Sequence, residues 1–396
     1  MRRTVHLIAM LSALLASTLP ATADTPKSEV DLLLDLLVAK NILTSTDASE
    51  LRARVTSTAQ VSAATNNVVA SATTPTPSTL PGANPAGSNG GISIKNNTLN
   101  INGYVQTRFT EAPITTSTFE VRRARVIFEG RLTDTIGYQV QLDGVKPQLL
   151  DARVDVKPLR QFGVTIGQFK IPFSTESMTS DNLLPFIERS TVDNLYAPGR
   201  ENASNGRDIG LQFLGKTWRA NGIDRLEYFV GVFNGAGINT RDDNHYKDTA
   251  ARLLVRPFKQ FAIIGNYYNG AVGTKEISRE RYDLEFNFVH GPFTAAGEYI
   301  WGHDGPVRRN GWYAHTTYRI AKKWEGAFRF DKFSPRQHTA TLTAMNNYVI
   351  GASYFLNPYV KLQANYGRQQ DLFTDRSSNV VLLQTQFQFG GERAQK

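Results

Sequence analysis

The stretch LDARVDVK, residues 150–157, alternates aliphatic residues at even positions with charged residues at odd positions. A period of two residues indicates a β-strand with two unlike faces. Similar stretches recur from residue 92 to residue 389, and most of them end at a turn containing Gly, Pro, Asn or Asp. One face of each strand is aliphatic and aromatic, and the other is polar and charged. This pattern predicts a transmembrane antiparallel β-barrel with an apolar, lipid-facing outside and a polar, water-filled lumen.

The turns divide this region into about sixteen strands, an even number in the range of outer-membrane barrels. The predicted strand centres fall near residues 104, 124, 139, 153, 165, 211, 229, 252, 264, 284, 297, 315, 328, 350, 362 and 385. A soluble β-sandwich also alternates. The unbroken succession of long strands and the many charges on the polar faces favour the membrane barrel. Aromatic residues near strand ends, such as Trp301 and Trp324, are placed as in an interfacial girdle.

The amino terminus has the pattern of a secretory signal peptide, residues 1–23. Arg2 and Arg3 precede a mostly apolar run, and Ala21-Thr22-Ala23 offers small residues for cleavage after Ala23. The run is too short to serve as a membrane-spanning helix, which needs roughly 20 residues. The sequence therefore predicts export, and with a barrel this means the bacterial outer membrane.

Two segments precede the predicted barrel. Residues 24–56 form a predicted periplasmic helical segment, with Ser28 and Thr46 as candidate N-caps and an apolar stripe too wide to be stable alone. The sequence leaves two alternatives for burying this stripe: the two helices of the segment pack on each other, or the segment associates with other copies of the chain in a trimer. Residues 57–91 contain mainly Ser, Thr, Ala, Asn, Pro and Gly, which predicts a flexible linker.

The cysteine count and the net charge limit which metals and binding partners the chain can have. The chain has no cysteine, so it has neither a disulfide framework nor a thiolate metal site. The formal net charge is +9, or +7 after loss of Arg2 and Arg3 (9 − 2). A basic excess can attract nucleic acid, anionic lipid or an anionic solute, and export argues against nucleic acid.

One connection is far longer than the others, from about residue 170 to residue 205. A loop of this length in a compact domain usually has a function, and in a barrel it can fold inward and narrow the lumen. It carries Lys170, Ser174 and Ser177 among other hydroxyls and cations, which can replace part of the hydration of an anion. An ordinary polar surface loop is the alternative.

The stretch VRRARVIFEG, residues 121–130, concentrates positive charge on one strand. Alternation directs Arg123 and Arg125 into the lumen. Arg122 then faces lipid headgroups or a subunit interface, or the lumen if a bulge shifts the register. Arg108 and Arg153 also face the lumen by the same alternation. Acidic residues share that face, so much of this charge could instead form ion pairs that brace the wall.

Several stretches resemble the phosphate-selective porin O and P family. They are FEVRRARVIFEG (119–130), YQVQLDG (138–144), DARVDVKPL (151–159), GQFKIPFSTESMTS (167–180), ERS (188–190), GRDIGLQF (206–213) and EYFVGVFNG (227–235). The resemblance spans roughly residues 100–389. It implies a trimeric, sixteen-stranded porin in which an inward loop forms the constriction and a ladder of basic side chains passes small anions, notably phosphate or polyphosphate.

The resemblance also implies roles for particular residues. Arg122, Arg123 and Arg125 would belong to the ladder, Asp143 would be the acidic residue near the constriction, and Arg189 would be a basic residue on the loop. Two positions depart from the family pattern. Ser177 stands where phosphate-selective members carry a lysine, and residues 390–396 follow Phe389, where such barrels usually end in an aromatic residue.

The sequence therefore predicts a porin for small anions, with phosphate the favoured solute and a weakly selective or other-anion pore (carboxylate, sulfate) as the alternative. An enzyme of the outer membrane would need a nucleophile and a base. The candidate bases are scattered and near no recognisable nucleophile: His245, His290, His303, His315 and His338. We expect no catalytic residue, no cofactor and no metal, since no His or carboxylate spacing matches a known cage. The expected partners are small anions, outer-membrane lipid and two further copies of the chain.

Overall fold

A computed structural model describes residues 92–94, 97–112, 115–335 and 344–390, together with single positions 38, 45, 46 and 49. The predicted signal peptide and linker lie outside the described residues. So do almost all of the predicted helical segment and residues 391–396 of the tail.

The described part of the chain is built mainly of antiparallel strands. A short strand, β1 (Ile92–Ile94), precedes the wall. The wall strands are β2 (Asn97–Ala112), β3 (Thr115–Arg131), β4 (Ile136–Asp143), β5 (Gln148–Val156), β6 (Gly163–Lys170), β7 (Arg207–Ala220), β8 (Ile223–Phe233), β9 (Asp248–Phe258), β10 (Phe261–Val272), β11 (Ile277–His290), β12 (Phe293–Asp304), β13 (Val307–Ala321), β14 (Trp324–Pro335), β15 (Met345–Asn357), β16 (Val360–Asp371) and β17 (Ser377–Phe389).

Sixteen of these strands form a closed barrel. Each pairs with the next along the chain, and β17 returns to pair with β2, from Val381 opposite Glu111 to Phe389 opposite Gly103. Closure gives each of the sixteen described wall strands a partner strand on both sides, which is what a bilayer requires of a β-structure. The predicted fold class is confirmed, and each of the sixteen predicted centres lies inside a different strand. No helix among the described residues is long and apolar enough to cross a membrane.

The two faces of the wall differ as the alternation predicts. On β17, Gln386 is fully buried towards the lumen, whereas its neighbour Phe387 is 52% exposed on the outside. Aromatic rings contact each other across neighbouring strands on the outer surface, for example Tyr282 and Trp301 near one rim and Trp324 and Tyr354 near the other. Such bands fit the two lipid–water interfaces.

Strict alternation fails where the register shifts. Leu150 was predicted on the same outer face as Val154, but it is fully buried while Val154 is 42% exposed. The cause is an irregularity between β4 and β5: Gln141 pairs with Asp151 and Leu142 pairs with Leu149, which leaves Leu150 without a partner. An extra residue in one strand reverses the facing of the residues beyond it.

The two ends of the barrel differ in the length of their connections. At one end five hairpins turn through only two residues each: 221–222, 259–260, 291–292, 322–323 and 358–359. The other end carries the longest connections among the described residues, 171–206 and 234–247. In outer-membrane barrels the short turns are periplasmic and the long loops are extracellular. The connection 171–206, called the inward loop below, therefore enters the lumen from the outer end.

Candidate pore constriction

The inward loop has its own local structure. It contains helix α1 (Thr175–Met178), a 3-10 turn (Asp181–Leu183) and helix α2 (Thr191–Tyr196). Both helices begin at a serine whose hydroxyl accepts a backbone hydrogen bond: Ser174 from the Ser177 amide and Ser190 from the Asp193 amide. Ser, Thr, Asp and Asn are the usual N-caps because they satisfy amides that lack a partner in the first turn.

The apolar side of the inward loop packs against the lumen wall. Val192 and Tyr196 of α2 are completely buried in a cluster that includes Tyr313 and Phe333 of strands β13 and β14. The Arg281 guanidinium of β11 lies 3.8 Å from the centre of the Tyr196 ring, a cation–π contact. Hydrophobic burial thus fixes one side of the loop to β11–β14.

The tip of the loop reaches the arginines of β3. Asp181 accepts a hydrogen bond from Arg125 Nη1 at 2.5 Å and one from Arg189 at 2.8 Å, and Arg123 Nε lies 3.3 Å from its Oδ2. Arg125 also lies 3.2 Å from Asp143 of β4. These residues are almost fully buried. Three guanidinium groups therefore share one loop carboxylate.

The electrostatic effect on Asp181 is large. Burial alone raises the pKa of a carboxyl, but Arg123, Arg125 and Arg189 outweigh this and hold the pKa of Asp181 well below its usual range. Asp181 is therefore ionised at neutral pH and joins the loop to the wall as a charge-assisted contact.

Arg122 also faces the lumen. Gln106 pairs with Arg123 and Thr107 pairs with Val121, so Arg122 is the extra residue of a β-bulge. Its Nε lies 3.2 Å from Oε1 of Glu188 on the inward loop. Arg108 of β2 contacts the same carboxylate oxygen. The sequence left three environments open for Arg122: lipid headgroups, a subunit interface, or the lumen if a bulge shifts the register. The structure has the third.

The predicted site residues differ in their access to the lumen. The side chains of Arg122 and Arg153 are 30% and 29% exposed, and that of Arg108 is 14% exposed. Arg153 of β5 donates to Gln139 at 2.8 Å and lies 3.3 Å from Asp155. Each of these three arginines has at least one carboxylate neighbour and a side chain that is partly exposed to solvent. Arg123 and Arg125 also have carboxylate neighbours, but their side chains are almost fully buried.

The remaining predicted residues hold the loop in shape. The Lys170 ammonium donates to the carbonyls of Ser177, Met178 and Thr179 at 2.8–3.1 Å, and so caps the carboxyl end of α1. Ser177 is buried, and its hydroxyl accepts from Arg200 Nε at 3.0 Å. A side chain at position 177 therefore points into the loop and not into the passage. Arg189 bonds to Asp181 and to carbonyl groups of the same loop.

A cluster of carboxylates lies on the wall opposite the arginines of β3. Strand β3, with Arg122, Arg123 and Arg125, lies eight strands from β11, half of the sixteen-strand circumference. There Asp283 and Glu285 of β11 and Glu298 of β12 form a buried carboxylate cluster beneath the start of the loop. The sequence gives no signal for the position of this cluster opposite β3, because parity alone places acids and bases on the same face.

A closed antiparallel barrel of sixteen strands, with an apolar outside, an ionic lumen and a long loop folded inward, defines the porins of the bacterial outer membrane. The family model for phosphate-selective porin O and P matches residues 100–268 and 252–389. The chain belongs to this family, and its place is the bacterial outer membrane. Family and fold are those of a channel.

Several solved structures share the fold at low sequence identity. The anion-selective porin from Comamonas acidovorans superposes with a TM-score of 0.58 at 11% identity, covering 74% of this chain and 100% of that one. OmpF of Salmonella typhi, in a complex with daunomycin, gives 0.56 at 10% identity, with coverage of 76% and 100%. OmpT of Vibrio cholerae, an outer-membrane protein, gives 0.55 at 12% identity, again with 76% and 100%. No curated protein sequence matches the chain significantly.

Proposed function

We propose that this porin conducts small anions by passive diffusion, with phosphate the favoured solute. The observation that carries the proposal is the convergence of wall arginines from β2 and β3 with Arg189 at the tip of the inward loop, opposite the carboxylate cluster. Guanidinium groups stay charged at any physiological pH and match the oxygens of phosphate. The net charge of +9, or +7 without Arg2 and Arg3 (9 − 2), supports the same sign of selectivity.

In this proposal the arginines have two tasks. Arg122, Arg153 and Arg108 face the passage and attract the anion, replacing part of its hydration. Arg123 and Arg125 act as positioning residues, because their guanidinium groups are occupied by Asp181 and Asp143 and hold the loop at its distance from the wall. Nearby carboxylates keep each attraction weak, and several weak sites let an anion enter and leave quickly.

The charge balance also supports the alternative of a weakly selective or other-anion pore. Six linked arginines face five carboxylates, which leaves one positive charge in excess (6 − 5): Arg108, Arg122, Arg123, Arg125, Arg189 and Arg200 against Glu120, Asp143, Asp181, Glu188 and Asp193. A single excess charge attracts carboxylate or sulfate as well as phosphate. The two hypotheses therefore differ in how strongly phosphate competes with other anions.

The selectivity test compares Arg122→Gln/Arg153→Gln with the matched control Arg319→Gln. Arg319 of β13 has a similar exposure, 25%, and one carboxylate partner, Glu325. We expect the chloride-to-potassium permeability ratio in planar bilayers to fall at least fivefold in the double variant, since each of the two charges removed is worth ~1 kcal/mol at about 4 Å in water, a factor of about five. Equal ratios in the double variant and the control would remove Arg122 and Arg153 from the mechanism.

Phosphate preference is tested separately by titrating phosphate into chloride on the intact porin. Block of the chloride current at millimolar phosphate supports phosphate as the favoured solute. Absence of block, with anion selectivity retained, supports the other-anion pore.

We further propose that the porin is a homotrimer in contact with outer-membrane lipid. The wall is lowest at β4, β5 and β6, which have 8, 9 and 8 residues, whereas the other wall strands have 11–17. Apolar side chains remain exposed on this low side, including Leu142, Val154 and Ile166. A neighbouring copy would cover them. Native mass spectrometry in detergent tests the proposal, and a monomer would contradict it.

A further inference from the structure

The carboxylate cluster of Asp283, Glu285 and Glu298 is the one group of three or more possible metal ligands found among the described residues. Glu285 and Glu298 lie directly opposite each other on paired strands, and Asp283 lies one lumen position away on the same strand as Glu285. One oxygen from each side chain lies within 4.8 Å of the other two. All three are at least 97% buried, at 3% exposure each.

Hydrogen bonds satisfy only part of this cluster. Asn266 Nδ2 donates to Asp283 Oδ2 at 2.6 Å and to Glu285 Oε1 at 2.7 Å. Arg252 Nη1 donates to the same Glu285 oxygen at 2.7 Å, and the Thr175 amide donates to Glu285 Oε2 at 3.0 Å. Glu285 is therefore fully bonded, whereas Asp283 and Glu298 are not.

Two buried carboxylate oxygens have no hydrogen-bond partner in the described part of the chain: Asp283 Oδ1 and Glu298 Oε1. The other oxygen of Glu298 depends on the Ser174 hydroxyl, which lies 3.0 Å from it and 3.0 Å from Asp193 Oδ1. A hydroxyl has one hydrogen and can donate to only one of these acceptors at a time. The site therefore holds more acceptor oxygens than donors.

The charges in the cluster are also unbalanced. Arg252 is the one cation that forms an ion pair with it among the described residues, so one positive charge faces three carboxylates. Buried charges need partners, and like charges at such distances oppose ionisation. Either Asp283 and Glu298 share a proton, or a cation occupies the space between them.

We propose that this cluster binds a divalent cation of the calcium class. A hard cation takes carboxylate oxygens, and calcium tolerates the irregular geometry that three side chains from two strands impose. Zinc is disfavoured because the cluster offers neither nitrogen nor sulfur. Two positive charges added to Arg252 balance the three carboxylates, and the two unpartnered oxygens become ligands.

The bound cation fastens the inward loop to its wall. At the beginning of α1, the Thr175 amide donates to Glu285, and the Ser174 hydroxyl lies within hydrogen-bond distance of Glu298. Without the cation, repelling carboxylates lie beneath this part of the loop. The cation on β11–β12 and the arginines on β3 therefore hold the loop from opposite sides, whichever solute the pore prefers.

The test uses full-length mature porin refolded without lipopolysaccharide, which itself binds calcium, in a zwitterionic detergent. Calcium binding is measured by isothermal titration calorimetry, and thermal unfolding is followed by circular dichroism in calcium and in EDTA. We expect one calcium ion per chain and a Tm several degrees higher in calcium. Both effects should disappear in Asp283→Asn/Glu298→Gln, which removes two charges and keeps the side-chain shapes.

Glu325→Gln is the matched control, since Glu325 faces the lumen and pairs with Arg319 away from the cluster. It should bind calcium as the wild type does. If Asp283→Asn/Glu298→Gln does not refold, Glu298→Gln alone should lower the calcium affinity at least tenfold. No calcium binding by the wild type, or unchanged binding in the cluster variants, would overturn the proposal and leave a shared proton as the explanation.

Discussion

Arg125 Nη1 on the barrel wall lies 2.5 Å from Asp181 Oδ2 on the inward loop, and both side chains are buried. The contact crosses from β3 to a residue 56 positions later in the chain. It sets the distance between the loop tip and the arginine wall, so it bears on both the width and the charge of the passage.

Replacing Asp181 with Asn should change both properties. Arg123, Arg125 and Arg189 lose the carboxylate they share, which costs ~3 kcal/mol for a buried pair broken on one side. We expect a larger and noisier single-channel conductance, because the loop tip is released, and a higher chloride-to-potassium permeability ratio. Planar-bilayer recording measures both. Glu325→Gln serves as the control, and identical traces for the two variants would contradict the role of Asp181.

Acidification should weaken the same contact only at low pH. The pKa of Asp181 is depressed in the folded porin, so its contribution to stability is complete above the ordinary value of 3.8 and is lost as the pH falls towards the folded pKa. We expect the Tm of the wild type to fall more steeply than that of Asp181→Asn below about pH 4. Thermal melts between pH 7 and pH 2 measure this, and parallel curves would argue against it.

The fold was predictable because a barrel repeats a local rule. Each strand shows its two faces in its own residues, and the inward loop stands out by its length and lack of alternation. The side-chain orientations of Leu150 and Arg122 were harder to predict. A single extra residue in a strand reverses which face the following side chains point to, and it leaves no clear sign in the sequence.

The side-chain contacts in the constriction were harder to predict than the strands of the barrel wall. Arg123 and Arg125 were expected to line the passage, and the structure shows them occupied by Asp181 and Asp143. The partners lie far apart along the chain, so spacing does not reveal them. The carboxylate cluster was missed for the same reason, because Glu298 meets Asp283 and Glu285 only through strand pairing.

Tyr196 should prove the main apolar anchor of the inward loop. It is completely buried between Arg281 and Phe333, so Tyr196→Ala should cost about 3–5 kcal/mol of local stability. The hydroxyl of Tyr196 has no hydrogen-bond partner among the described residues, so Tyr196→Phe should be nearly silent. Limited proteolysis of the loop distinguishes them: rapid cleavage is expected for the alanine variant only, and equal resistance of both would contradict the anchoring role.

A charge placed on the outer face should report directly on contact with lipid. Ile350 lies in the middle of β15 and is 60% exposed. On a lipid-facing strand Ile350→Arg should lower the free energy of unfolding by about 2–4 kcal/mol, because a guanidinium group is costly near the bilayer midplane. Ile350→Val changes only the size of the side chain and should cost less than about 1.5 kcal/mol. Reversible guanidinium unfolding in phosphocholine vesicles measures both variants. If arginine is tolerated as well as valine, Ile350 faces water or protein, and the assignment of this surface to lipid is wrong.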